Sequence, residues 1–75
     1  TGGIRLPFTA KQVNLVMGSK VPVNIEVYVD GVLHKQVVVQ SHDLYNLVDM
    51  PEYGSHVVEI RFLEPGVSAF AFTFG

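Results

Sequence analysis

Ser41, His42 and Asp43 are the three residue types of a nucleophilic triad, and they stand consecutively. A working triad passes a proton from hydroxyl to imidazole beside a carboxylate, so each side chain must reach the next. Neighbouring side chains in an extended segment point to opposite faces, and contiguity therefore works against the arrangement. The three read instead as a turn entry, with Ser41 or Asp43 bonding nearby backbone. No Gly-x-Ser-x-Gly elbow occurs elsewhere. The histidines, His34, His42 and His56, lack the clustered spacing of a zinc site. The chain has no Cys, which excludes disulfides, thiolate chemistry and cysteine metal sites. Asp30, Asp43, Asp49 and Glu52 could offer oxygen to calcium, but carboxylates scattered along a chain are usually solvated. Glu26 and Glu59 are the residue types of a glycosidase pair. Without a groove they read as a surface charge pattern. The residues therefore call for no catalytic group, no metal and no cofactor.

The aromatic residues offer recognition rather than catalysis. Flat rings can stack on the apolar face of a sugar, and Tyr28, Tyr45 and Tyr53 are the candidate ligand-binding residues. Tyr28 falls on the polar side of its strand, and Tyr45 and Tyr53 fall in or beside loops. The competing reading is cross-strand packing, which stabilises exposed tyrosines on sheets. Phe70, Phe72 and Phe74 alternate with Ala69, Ala71 and Thr73, and this face is expected to be core.

These side chains must be carried by strands. Fourteen Val stand against three Ala, and Val packs well on a pleated surface whereas Ala leads the helix scale. Val23, Ile25, Val27 and Val29 alternate with Asn24, Glu26 and Tyr28, a period of two. Val58, Ile60 and Phe62 repeat the pattern. Asp30-Gly31 predicts a type I′ hairpin turn, and Pro65-Gly66 a type II turn. Gly18-Ser19-Lys20 and Pro51-Glu52-Tyr53-Gly54-Ser55 read as loops. The strands predicted are 3–8, 12–17, 21–30, 32–40, 44–48, 56–64 and 67–74, an all-β antiparallel sandwich or jelly roll.

Composition narrows the class further. At 75 residues the chain is one domain, residues 1–75, with no repeat or linker. Hydrophobic residues make up 48% and charged residues 16%, against disorder. Five Lys and Arg, scattered singly in a net charge of −2, form no basic stripe, so no nucleic acid partner is expected. No apolar run approaches the roughly 18 residues of a membrane helix. The opening Thr1-Gly2-Gly3 reads as the start of an excised or processed domain.

Four stretches occur in an order that carries a resemblance: Phe8–Gly18, Val27–Gly31, Leu44–Val48 and the closing Leu63–Gly75. Together they resemble the C-terminal β domain of DipZ-type thioredoxin-like proteins, associated with cytochrome c biogenesis and thiol-disulfide isomerisation. The ending Ala-Phe-Ala-Phe-Thr-Phe-Gly is close to that family's Ala-Tyr-Ala-Phe-Thr-Phe-Gly. The resemblance implies a galactose-binding-like jelly roll, following a thioredoxin-fold domain in an extracytoplasmic bacterial protein of the periplasm or cell envelope. The family's redox activity belongs to a Cys-x-x-Cys motif in the thioredoxin domain, and no residue here can inherit it. What it implies is a non-catalytic accessory module that positions the redox domain or binds a partner for it. The alternative is a carbohydrate-binding module using the exposed tyrosines. The expected partners are the N-terminal thioredoxin-like domain of the same parent chain and a carbohydrate or protein ligand. Family modules carry further strand material ahead of the Ile4–Phe8 match, so an exposed edge strand and homo-oligomers formed through it are also expected.

Overall fold

The alternation of apolar and polar residues leaves one face of each strand to be buried, and five antiparallel strands do this. The computed structural model describes residues 2–75. In chain order the strands are β1 (Gly3–Gly18), β2 (Val23–Val29), β3 (Val32–Val39), β4 (Asp43–Phe62) and β5 (Ser68–Phe74). Their order in the sheet is β3-β2-β4-β1-β5.

Five strands replace the seven expected because two of the expected breaks do not end a strand. Residues 3–8 and 12–17 are one strand, and residues 44–48 and 56–64 belong to another. The physical reason lies in the register. Ala10 pairs with Gly54 and Gln12 with Asp49, so Met50–Tyr53 stand opposite Lys11 alone. This is a bulge of four residues against one, which bends a strand without ending it. Pro51 has no N–H to give a ladder, and here it needs none. The segment expected as a loop is therefore extended backbone released from its partner. The chain end holds the opposite side of the bend: the amides of Lys11 and Gln12 both donate to Gly75 O, and Gly75 N donates to Gln12 O.

The bend turns one sheet into two layers. The first half of β1 pairs with the second half of β4, which pairs in turn with β2 and then β3. The second half of β1 lies between the first half of β4 and β5. Leu15, Met17 and Leu47 of the second layer share one buried cluster with Ile25, Val27, Val58 and Ile60 of the first. No polar or charged residue is buried among the described residues. The result is an antiparallel β-sandwich with the jelly-roll character that the sequence implies.

The two seams of the sandwich differ. Across the seam between β3 and β4, Lys35 Nζ donates to Asn46 Oδ1 at 2.8 Å, and Asp49 N donates to His34 Nε2 at 3.4 Å. Among the described residues β5 pairs with β1 alone. The three closing phenylalanines correct the core expectation accordingly. Phe72 packs against the core, but Phe70 is 60% exposed and Phe74 49%. An outermost strand has a neighbour on one flank only, so its large side chains are only partly covered.

The β2–β3 turn fits its expectation. Asp30 has φ 51° and Gly31 φ 82°, as both central positions of a type I′ turn require. The Pro65-Gly66 turn likewise has its glycine at positive φ, 112°. Nothing crowds a side chain at Gly31, so the penalty there is purely one of backbone conformation. Gly31→Val is expected to cost at least about 1 kcal/mol, read from the urea midpoint at unchanged m-value.

Candidate binding cleft

Gly18, the last residue of β1, lies between His42, just ahead of β4, and Ser68, the first residue of β5. A Cβ at Gly18 would stand 3.2 Å from His42 Cα and 3.5 Å from its Cγ. The missing side chain is what lets His42 lie close against the end of β1. On the other side, the register between β1 and β5 slips by one residue between Val16 and Met17: Val16 faces Ala71, Met17 faces Ala69, and Phe70 is the extra residue. The slip leaves Phe70 out of the ladder. His42 and Phe70 stack with ring centroids 4.7 Å apart and planes 11° from parallel.

Beside this ring pair is a cleft of about 510 Å³. Gly18, Lys20, Val21, His42, Gly66 and Phe70 are among its walls. Lys20 and His42 are the only ionisable groups in that lining, and no carboxylate belongs to it. The Ser19 hydroxyl, also in the cleft wall, is buried without a hydrogen-bond partner. The cleft therefore offers a flat aromatic surface, a basic rim and bare glycine backbone.

The sequence-predicted residues sit elsewhere. Tyr28 pairs with Glu59 on the outer face of the β2–β4 pair; its hydroxyl donates to Glu26 and the Arg61 guanidinium lies 4.2 Å over its ring. That hydrogen bond to a carboxylate, together with desolvation, raises the phenol pKa. Glu59 is held by Arg61 Nε at 2.8 Å, so Glu26 and Glu59 both belong to a hydrogen-bonded surface cluster. Tyr45 pairs with Leu15, on the core side of its layer. Its hydroxyl donates to Ser41 O at 2.7 Å and accepts from Gln40 N at 3.1 Å, closing the β3–β4 turn. Tyr53 lies on the bulge and is 67% exposed. None of the three tyrosines lines the cleft. Of the Ser41-His42-Asp43 run, Asp43 caps the Leu44 amide and His42 alone reaches the cleft wall. Phe70 escaped the sequence reading because strict alternation cannot reveal a register slip.

A second cluster lies at the opposite end of β2. Asp30 accepts from Val57 N through Oδ1, and its Oδ2 meets His56 Nδ1 at 2.5 Å. His56 rests on Phe8, with centroids 5.8 Å apart. The bond to His56, seconded by the Val57 amide, lowers the Asp30 pKa. This carboxylate ties the β2–β3 turn to β4.

Two outcomes follow. A depressed carboxylate pKa gives stability that is present above the unfolded value, near pH 4, and lost as pH falls through the folded value. Asp30→Asn keeps a side chain that tolerates positive φ and can accept from Val57, so its thermal midpoint should fall less steeply between pH 5 and pH 2 than the parent's. An unchanged acid limb would remove Asp30 from the account. For the ring pair, His42 ring protons should resonate upfield through the Phe70 ring current and return to ordinary positions in Phe70→Leu. Because Phe70 is largely exposed, stability should change by only about 0.5 kcal/mol.

A search of curated protein sequences finds no match. Among solved structures the chain is similar to a family two carbohydrate esterase from Clostridium thermocellum in complex with cellohexaose, with a TM-score of 0.87 at 19% identity. An active-site mutant of a family two carbohydrate esterase from the same organism gives the same score and identity. In both cases the alignment covers 99% of this chain and 24% of the other, so the chain spans about a quarter of those proteins. At that identity the likeness shows the fold alone, a β-sandwich. The sequence profile described as "Thioredoxin like C-terminal domain" matches residues 1–75. From Thr1 to Gly75, then, this chain belongs to the thioredoxin-like C-terminal domain family.

Proposed function

We propose that this domain is a non-catalytic accessory module of a thioredoxin-like thiol-disulfide oxidoreductase. It serves the redox domain of the same parent chain by holding a partner or ligand near it, outside the cytoplasm. The observation that carries this reading is a family match over the whole length of a chain without a single Cys. A thiol-disulfide exchange needs a thiolate, and this chain can supply none. Recognition and positioning are the roles this reading gives it, and a cleft with an exposed aromatic wall suits the first.

Saccharide recognition is the second reading. It rests on the open rings of Tyr53 and Phe70, 67% and 60% exposed. Glycan binding on an array that is lost in Tyr53→Ala or Phe70→Ala would favour it.

The parent oxidoreductase, assayed with and without this domain, tests the main reading. Reduction of a small-molecule disulfide should proceed at the same rate in both forms. Reduction of a protein disulfide should show a raised KM in the shortened form. Loss of both activities would make the domain part of the catalytic unit. Hydrolysis of a glycoside by this chain, abolished by Glu26→Gln or Glu59→Gln, would replace the reading altogether.

A further inference from the structure

Four strand flanks lack a ladder partner among the described residues, and three of them are guarded. The β3 edge and the free flank of the first half of β4 face each other, with His34 and Lys35 of β3 reaching across. The free flank of the first half of β1 carries Arg5 and Pro7, a charge and a residue without an N–H. Charges, prolines and bulges are the usual means of keeping an edge from pairing. The β5 edge has no charge and no proline, and its one bulge, at Phe70, stands beside the cleft. From Ser68 to Gly75 there is no ionisable residue and no proline, and β5 pairs with β1 on one side only.

The surface beside that edge is apolar as well. By register, Leu44, Val16 and Ala71 form one row across β4, β1 and β5. Leu44 is 52% exposed. The next position along holds the His42–Phe70 ring pair, and the cleft opens there toward Lys20 and Val21. An unpaired strand edge thus runs into a cleft whose only charges are basic.

The geometry points to β5 as the docking edge for an extended polypeptide segment, which adds as a further strand and places a side chain in the cleft against Phe70. Strand addition draws affinity from main-chain hydrogen bonds and specificity from pockets that take alternate side chains. The occupant's chemistry follows from the site: an uncharged, alternating segment for the neutral edge, with an acidic residue or chain terminus for Lys20. This deepens the proposed function, because a protein held in extended form is the substrate class that a thiol-disulfide oxidoreductase would receive from such a module.

The probe is a short synthetic peptide of alternating valine and threonine with an aspartate at one end, titrated into this chain and followed by backbone NMR and amide exchange. The expected result is slowed exchange at those amides of Ser68–Phe74 that point away from β1, with shifts at Lys20, His42 and Phe70. N-methylation of alternate peptide amides should weaken binding roughly tenfold or more, since main-chain donors are removed. Phe70→Lys, which charges an exposed position, should do the same while leaving the circular dichroism spectrum unchanged. Val32→Lys on the opposite edge should bind like the parent. Equal binding of the methylated peptide would overturn the proposal, as would protection confined to Val32–Val39. Prior protection of β5 in a concentration-dependent dimer would assign the edge to a second copy instead. Shifts at Phe70 with a cello-oligosaccharide but none with the peptide would assign the cleft to sugar. Each of these failures leaves the accessory reading standing, because that reading is judged on the parent's turnover.

Discussion

The structure depends on one long ribbon, the antiparallel pairing of β1 with β4, and on the bulge that bends it. Strands of 16 and 20 residues are far longer than the five or six residues common in globular domains. A straight ribbon of that length would expose the apolar face at both ends. With four residues set against Lys11, the two halves fold toward each other, and the same alternation of side chains feeds one core from both layers. A small domain buries a modest share of its surface, so this sharing matters: Leu15, Leu47 and Ile60, fully buried, belong to strands that β2, β3 and β5 only extend.

That arrangement explains why open surface collects at the ends. The β1–β4 ribbon is occupied with the core along its whole length, and its outer face over the first layer is taken up by the mutually bonded Glu26, Tyr28, Glu59 and Arg61. Apart from β3 and the bulge at Tyr53, openness is left to the β5 strand and the turns around Gly18 and Gly66. There the chain has bare backbone, a stacked ring pair and no opposing carboxylate. In energetic terms these are the cheap positions: partly exposed side chains contribute little to stability and can be given over to recognition.

Much of the fold was legible because it rests on period two and on turn chemistry. The alternation of Val23–Val29 gives β2, which ends short of the expected 21–30 on both sides, and Asp30-Gly31 gives its turn with both residues at positive φ. The breaks at Lys11 and at Pro51–Ser55 were misread because a proline and a polar run look alike whether a strand ends or merely bulges; only the partner strand distinguishes them. The cleft was less legible for a related reason. Phe70 obeys the alternation of a buried face, and it is the slip opposite Val16 and Met17 that turns it outward. The tyrosines drew notice by type, but Tyr45 is bound to the β3–β4 turn and Tyr28 lies under Arg61. Which phenylalanine is open is settled by register, and register is a property of two strands.

Residue-by-residue hydrogen exchange of the free chain at low concentration tests the central claim, a single bent ribbon with one unguarded edge. The account predicts that amides of Val13–Leu15 and Val58–Ile60, on either side of the bend, exchange together and slowest, through global unfolding. It predicts fast exchange for the β5 amides that point away from β1. Separate exchange of the two halves of the ribbon, or full protection of β5 in the monomer, would contradict it.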